Sequence, residues 1–171
     1  MSLEQLYELH KDMVYNLSLN YLQNHEDAQE ITQDVFVAVF RSMDKFRNES
    51  SVSTWIYRIT INKCLDHIKA SKRKKRLSFF TSIFGGDVEE NTFRVFDHPG
   101  VQLEQKQAME RLFRCINELP EKQKTALLLS KTENLSQSEI AEVMGVSVKA
   151  VESLIQRAKS NLSEILKKNE G

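Results

Sequence analysis

The sequence contains little glycine, proline or cysteine, and its formal net charge is zero. Five glycines and two prolines in 171 residues leave little turn material for a many-stranded sheet, whereas the helix-forming residues Leu, Glu, Lys and Gln are abundant. No apolar run approaches membrane-spanning length and no signal peptide is visible. The composition therefore predicts an all-α, cytoplasmic protein without direct membrane insertion.

The two cysteines, Cys64 and Cys115, are far apart and each lies within a helical pattern. Neither belongs to a CxxC or Cys/His ligand spacing, so we expect buried thiols rather than a zinc site or a disulfide framework. No nucleophile–base pairing and no phosphate-binding Gly-rich loop is present, since Gly85-Gly86 alone is too little. We expect no catalytic residues, no metal, no cofactor and no enzymatic activity.

Charge is segregated along the chain. Residues 1–60 carry nine acidic and five basic side chains, whereas residues 69–76 contain six basic side chains and no acidic one. This segregation indicates one surface for a basic partner and another for phosphate groups. The segment that follows contains Gly85-Gly86 and Pro99-Gly100 and is interpreted as a linker. Its apolar residues should dock on another surface: Leu77, Phe79, Phe80, Ile83, Phe84, Phe93, Val95 and Phe96.

Apolar residues recur at helical spacing on both sides of the linker. Three helices precede it, the second capped by the segment that starts at Asn24 and the third beginning near Ser53-Thr54. The pattern predicts two small helical domains, residues 1–72 and 103–171, joined by a linker over residues 73–102. The first three apolar stripes are Leu3, Leu6, Tyr7, Val14, Leu17, Tyr21 and Leu22; Ala28, Ile31, Val35, Phe36, Val39 and Met43; and Trp55, Ile56, Ile59, Ile61, Leu65 and Ile68.

The strongest local motif runs from Ser136 to Arg157 and predicts a helix-turn-helix. Ser136 and Glu139 form a capping box, and Gly145 suits the left-handed turn between two helices. Ser147 would cap the second helix, whose outward residues are Lys149, Ser153, Gln156 and Arg157. The alternative is an ordinary helical hairpin with a glycine turn. Glu152, on the same face, could accept a hydrogen bond from cytosine, although pairing with Lys149 or Gln156 is favoured.

Two N-terminal surfaces carry further signals. Asp27, Glu30 and Asp34 form an acidic stripe on the second helix, with Gln33 beside it, which points to a basic protein partner; the alternative is a solvated, self-stabilising face. From Phe46 to Asp66, aromatic and polar residues alternate and lead into the basic run, as suits unstacked bases. Trp55 and Tyr57 could instead be ordinary core residues.

These segments resemble conserved regions of a known family. Residues 27–36 (DAQEITQDVF), Phe46-Arg47, residues 53–59 (STWIYRI) and Asn62 resemble sigma region 2. The Leu119-Pro120 junction and the helix-turn-helix, which ends in QRAK at residues 156–159, resemble sigma region 4. Two such domains joined only by a linker are the layout of the extracytoplasmic-function (ECF) sigma factors of the sigma-70 family.

The resemblance implies an alternative sigma factor that binds core RNA polymerase and directs promoter recognition, DNA melting and transcription initiation. It places the polymerase contact, on the β′ clamp, at Asp27, Glu30, Gln33 and Asp34, and it implies a second contact with the β flap. It places minus-ten DNA contacts at Phe46, Arg47, Asn48, Trp55, Arg58, Ile59, Asn62, Lys69, Lys72 and Arg73. It places minus-thirty-five contacts at Ser147, Lys149, Ser153, Gln156 and Arg157. An anti-sigma factor is the remaining expected partner.

Two alternatives stay open at this point. Phe46, Ile59 and Asn62 are expected to line a pocket for one flipped base of the non-template strand, but Asn62 could instead cap or bridge the helix bundle. A stand-alone helix-turn-helix transcriptional regulator is the alternative function. Co-purification with core RNA polymerase would distinguish it from a sigma factor.

Overall fold

The computed structural model describes residues 2–46, 50–83 and 103–171. The regular elements in these ranges are all helical: α1 (Leu3–Leu22), α2 (His25–Ser42), a 3-10 turn (Met43–Lys45), α3 (Val52–Ile83), α4 (Leu103–Asn117), α5 (Glu121–Lys131), α6 (Gln137–Met144) and α7 (Val148–Glu170). The predicted all-α class is confirmed. No helix in the described ranges is long and apolar enough to cross a membrane.

Local capping defines the first two helices. The Ser2 hydroxyl accepts from the backbone N–H of Gln5, and the Gln5 side chain accepts from the N–H of Ser2, which completes a capping box. Gln23 caps the C-terminus of α1 in the left-handed region, with φ of 55°. The Asn24 side chain then accepts from the N–H of Asp27 and caps α2 where the sequence predicted a cap.

Helices α1, α2 and α3 pack around a common apolar centre. Val14, Leu17, Val35, Val39 and Ile56 are each fully buried there. Burial of one such side chain contributes about 1.5–3 kcal/mol, so these few residues stabilise the three-helix arrangement strongly.

The predicted stripe of α1 was wrong at its N-terminal end. Leu3 and Tyr7 are exposed, because the buried side of α1 begins at Leu6. Tyr7 keeps one aromatic contact, edge-on to Phe36 with ring centroids 4.8 Å apart.

Helix α3 is longer than the sequence pattern suggested and extends through the basic run to Ile83. Residues 73–83 of the predicted linker are therefore helical, because Lys, Arg and Leu are strong helix formers and no Gly or Pro interrupts them. The apolar residues of this extension do not dock: Leu77, Phe79, Phe80 and Ile83 are exposed. Phe84, Phe93, Val95 and Phe96 lie outside the described residues.

The C-terminal helices form a second apolar centre around α5. Phe113 and Ile116 of α4, Leu127, Leu128 and Leu129 of α5, and Val151 and Ile155 of α7 are all buried. Pro120 stands at the cap position of α5, where the absence of its N–H leaves no helical hydrogen bond unmade.

The two apolar centres join into one continuous cluster, and a lysine is buried where they meet. Lys124 of α5 is 6% exposed, and its ammonium donates to the Tyr21 carbonyl at 3.2 Å and to Asn117 Oδ1 at 2.7 Å. The Tyr21 hydroxyl donates to Thr125 Oγ1 beside it. Burial lowers the pKa of Lys124 to about 8, because the low-dielectric surroundings disfavour its charged form.

We predict that this lysine makes stability depend on pH. Below pH 8 it is charged in both states, and the folded protein carries the full desolvation penalty. From about pH 8 to its ordinary pKa of 10.5 the folded state binds fewer protons than the unfolded state, so the unfolding free energy rises. Relative to Lys124→Met, the wild type should gain about 3 kcal/mol across this window.

Urea denaturation on both sides of the window measures this difference. Lys122→Met is the matched control, since Lys122 is exposed on the same helix, and it should leave the pH dependence unchanged. Parallel stability–pH curves for the wild type and Lys124→Met would contradict the assignment.

Candidate nucleic-acid and protein interfaces

Helices α6 and α7 form a helix-turn-helix with the capping predicted from the sequence. The Ser136 side chain accepts from the N–H of Glu139 at 3.2 Å, and the Glu139 carboxylate accepts from the N–H of Ser136 at 2.8 Å. These hydrogen bonds hold the pKa of Glu139 below its ordinary value. Gly145 adopts φ of 66° at the turn, where a side chain would be strained. The Ser147 hydroxyl then accepts from the N–H of Ala150 and caps α7.

The predicted outward face of α7 is accessible. Ser147, Lys149, Gln156 and Arg157 are exposed and Ser153 is half-buried. The opposite side of α7 is buried through Val151, Ile155 and Ala158, which fix the helix on its neighbours. Glu152 is also exposed, on the same face as Lys149. The first two turns of α7 therefore present a polar, mixed-charge surface of the kind that enters a DNA groove.

The acidic stripe of α2 lies opposite the buried side of that helix. Glu30, Gln33 and Asp34 are exposed. Asp27 is partly engaged, because its carboxylate lies 3.3 Å from His67 Nε2 on α3. The stripe therefore presents the exposed carboxylates of Glu30 and Asp34. The third carboxylate, that of Asp27, contacts α3 through His67.

Two residues that the sequence reasoning missed extend this surface. Val37 and Phe40 are 48% and 62% exposed and follow Gln33 at i+4 and i+7, so they continue the acidic stripe on one helix face. Their helical phase in the sequence could have identified them, because Val37 and Phe40 lie on the side of α2 opposite the buried Val35 and Val39. Together these two side chains place exposed apolar area beside the carboxylates of α2.

The aromatic segment divides between core and surface. Tyr57 is buried and its hydroxyl donates to Glu133 Oε2 at 3.3 Å, as the core interpretation of this residue required. Burial, the charge of Glu133 and that hydrogen bond all raise the pKa of Tyr57. Burial also raises the pKa of Glu133. Trp55 is half-buried and packs against Phe46 with ring centroids 4.8 Å apart.

Four other predicted minus-ten residues are Arg47, Asn48, Ile59 and Asn62. Arg47 and Asn48 lie outside the described residues. Ile59 is half-buried against the apolar cluster. Asn62 is exposed, one turn further along α3.

Arg58 connects α3 to the helix-turn-helix. Its guanidinium donates to the Glu142 carbonyl at 2.5 Å and to the Val143 carbonyl at 3.2 Å. These carbonyls belong to the last turn of α6, where the helix leaves carbonyl groups without helical partners and carries partial negative charge. A residue expected at the minus-ten element thus caps a helix of the other domain.

Asn62 faces a cavity between the two domains. The cavity has a volume of about 320 Å³. Three elements line it: Arg58, Ile61, Asn62 and Leu65 from α3; Glu121, Lys122 and Thr125 from α5; and Val143, Met144, Gly145 and Val146 from α6 and the turn after it. No sequence signal pointed to this arrangement, because the lining residues of α3 are more than 50 positions away in the chain from those of α5 and α6.

The basic run lies on the exposed part of α3. Lys72 and Arg73 are exposed, and Lys69 Nζ lies 3.9 Å from Glu121 Oε2 on α5. Both cysteines are buried and unpaired, and burial raises the pKa of Cys64 to about 12. Within the described ranges, no group of three His, Cys, Asp or Glu side chains could hold a metal ion.

The fold and these surfaces define a helical DNA-binding protein with two domains and a helix-turn-helix in the second. Family models match both domains: Sigma-70 region 2 over residues 6–74 and Sigma-70, region 4 over residues 109–162. The chain therefore belongs to the sigma-70 family, within the ECF group. It is an alternative sigma factor, which binds core RNA polymerase and directs promoter recognition, and the comparisons give no support to a stand-alone regulator.

Individual relatives agree with this placement. The chain is 30% identical to RNA polymerase sigma-H factor of Pseudomonas aeruginosa, over 90% of this chain and 80% of that protein. It is 30% identical to ECF RNA polymerase sigma-E factor of Haemophilus influenzae, over 88% and 79%. The sigma factor RpoE in complex with the anti-sigma factor NepR from Bartonella quintana shares the fold, with a TM-score of 0.66, 19% identity and 96% of both chains covered.

Proposed function

We propose that three surfaces divide the work of promoter-dependent initiation: the acidic face of α2 binds polymerase, α3 reads the minus-ten element, and α7 reads the minus-thirty-five element. The observation that carries the proposal is the capped helix-turn-helix with an exposed polar face on α7, joined in one chain to a bundle with an exposed acidic face. The chain acts by binding, in the cytoplasm with the polymerase, and not as an enzyme.

The polymerase contact is assigned to Asp27, Glu30, Gln33 and Asp34, extended by Val37 and Phe40. Exposed carboxylates contribute little to folding, so their function is separable from stability. A basic helical partner would pair with the carboxylates while Val37 and Phe40 bury apolar area against it.

We predict that Glu30→Lys with Asp34→Lys weakens binding to core polymerase by roughly tenfold or more, because like charges would face each other across the contact. Helicity should stay unchanged. Retention on immobilised core polymerase at moderate salt measures the effect. Glu4→Lys with Asp12→Lys on α1 is the matched control, since both acids are exposed. Equal retention of both double variants and the wild type would refute the polymerase assignment.

The duplex contact is assigned to Ser147, Lys149, Ser153, Gln156 and Arg157. Arginine reads guanine through two hydrogen bonds in the major groove, or holds phosphate as a cation. Lys149, Ser153 and Arg157 follow one another at four-residue intervals, so one face of α7 presents them together to the groove.

We predict that Arg157→Ala lowers promoter affinity by about 1–3 kcal/mol if the side chain contacts a base, and reduces the salt dependence by about one charge if it contacts phosphate. Footprinting of the holoenzyme with a salt series distinguishes the two contacts. Lys167→Ala, an exposed cation near the end of α7, should have no effect. An unchanged footprint at minus thirty-five would exclude Arg157 from the interface.

The minus-ten contact is assigned to Phe46, Arg47, Asn48, Trp55, Arg58, Ile59, Asn62, Lys69, Lys72 and Arg73. Arg58 and Asn62 lie beside α6 in this structure, although both side chains remain exposed, so α6 restricts the approach of DNA to them until the two domains separate. We therefore interpret the compact arrangement as a state not engaged with DNA. Once α6 has moved away, Asn62 offers a donor and an acceptor to the edge of one extruded base.

We predict that Asn62→Ala slows open-complex formation and blurs base preference at one minus-ten position. Folding and polymerase binding should be unchanged, because Asn62 is exposed. Permanganate footprinting on a set of substituted promoters measures both effects, with Asn16→Ala on α1 as the control. Wild-type opening together with wild-type base preference would place the base pocket elsewhere.

An anti-sigma factor completes the proposed set of partners. The similar Bartonella quintana sigma factor was solved in complex with one, and the compact arrangement of this chain leaves the α2 face and the extension of α3 available to a partner. A helical inhibitor that covers the α2 face would keep the sigma factor from polymerase.

A further inference from the structure

The junction where α1 and α3 of the first domain meet α5 and α6 of the second contains two ionisable groups that the proposed contacts do not use. Lys124 on α5 is buried, and Glu133, in the turn after α5, is half-buried. The Lys124 ammonium donates to the Tyr21 carbonyl of the first domain. The Glu133 carboxylate accepts from the Tyr57 hydroxyl of that domain. Within the described residues, neither group forms an ion pair.

The surroundings of Lys124 offer its charge little compensation. From α1, the Tyr21 ring lies 4.9 Å from the ammonium, and from α4 the Asn117 side chain accepts a hydrogen bond. From α3, the nearby groups are the Cys64 thiol and the cationic Lys72. Burial lowers the pKa of Lys124, the charge of Lys72 adds to that effect, and Cys64 opposes it. Docking of the domains therefore removes a cation from water without supplying a counter-ion.

Glu133 carries the corresponding penalty for an anion. Its two donors are the hydroxyl of Tyr57 on α3 and that of Thr132 in its own turn, each at 3.3 Å. Burial raises the pKa of Glu133, and these two hydroxyls offset only part of that rise. The carboxylate of Glu139 on α6 acts on the same Tyr57 and brings further negative charge. Separation of the domains would remove Tyr57 and return water to Glu133.

The polar contacts of the junction nevertheless define one docking geometry. Lys124 donates to a carbonyl in the last turn of α1, and Arg58 donates to carbonyls in the last turn of α6. Each domain thus caps a helix end of the other, where carbonyl groups lack helical partners. Such contacts specify orientation, but a buried charge costs more free energy than an apolar side chain of the same size.

We propose that Lys124 and Glu133 set how readily the two domains separate, and that separation is easiest while both groups carry their charge. Each group loses water in the compact form and regains it in the separated form, so neutral groups of similar size would hold the chain compact. Because α6 restricts access to Arg58 and Asn62, ease of separation would control the exposure of minus-ten residues. That consequence rests on the proposed function, whereas the separation itself does not.

The two groups give the docking equilibrium opposite dependences on pH. For Lys124 the pKa is about 8 in the compact form and 10.5 when solvated. The compact form therefore binds fewer protons in this range, and it gains stability as pH rises. For Glu133 the pKa is raised in the compact form, so that form binds more protons and gains stability as pH falls. The separated form should be most populated near neutral pH.

Thiol labelling of the free protein measures rare separations of the domains. Ile61→Cys places a thiol on α3 at the cavity between the domains, where Ile61 is buried. The rate of its reaction with iodoacetamide, divided by the rate in the urea-unfolded protein at the same pH, gives the separated fraction. Val35→Cys, in the core of the first domain, is the reference for unfolding and should react more slowly. Digestion and mass spectrometry distinguish each label from Cys64 and Cys115.

We predict that the normalised rate at residue 61 falls roughly tenfold from pH 7 to pH 9, as the lysine loses its proton in the compact form. Adding Lys124→Met should slow labelling at pH 7 and remove this fall. Adding Glu133→Gln should also slow labelling at pH 7, and the rates with and without it should converge as pH is lowered to 5. Lys122→Met, an exposed lysine on the same helix, should change neither limb.

Three results would overturn the proposal. Faster labelling with Lys124→Met at pH 7 would mean that the charge holds the domains together, and an unchanged fall toward pH 9 would mean that another group titrates. Equal normalised rates at residues 61 and 35 would mean that the domains separate only on unfolding. Unaltered labelling with Glu133→Gln between pH 5 and pH 7 would remove Glu133 from the mechanism.

Discussion

Helix α3 packs on α1 and α2 with one face and on α6 with another, and the Arg58 guanidinium caps the carbonyl end of α6 at the second contact. This contact determines which surfaces of the two domains are accessible to DNA. It places the candidate minus-ten residues Arg58 and Asn62 against the helix-turn-helix while α7 keeps its polar face exposed. Two of the candidate minus-ten residues therefore lie beside the scaffold of the other DNA-binding domain.

The chemistry of the junction favours a reversible contact. Its polar links join Tyr21 to Thr125, Tyr57 to Glu133 and Lys69 to Glu121, and a buried lysine lies among them. Burial of Lys124 removes a charge from water, and hydrogen bonds to a carbonyl and an amide offset only part of that penalty. Apolar packing holds the domains together and the buried charge opposes it, so ligands that bind the separated form can shift the balance.

Local features were predictable from the sequence because neighbouring residues determine them. The capping box of Ser136 and Glu139, the left-handed turn at Gly145 and the cap at Asn24 each depend on a few adjacent residues. The contact between Arg58 and α6 joins residues more than 80 positions apart, and no local pattern encodes it. Lys124 lies in a polar run that reads as solvent-facing, and only the tertiary fold buries it. The extension of α3 was not predicted, because the glycines after it indicated a linker. The helix propensity of Lys, Arg and Leu continues the helix to Ile83 instead.

Distances between the two domains test most directly whether the α3–α6 contact must open for promoter binding. Spin labels on Asn16→Cys of α1 and Ser160→Cys of α7 would report it, because both positions are exposed while the native Cys64 and Cys115 are buried. The free protein should give one short-distance population, and the complex with core polymerase and promoter DNA should give a longer one. An identical distance distribution in the free protein and in the promoter complex would contradict the account.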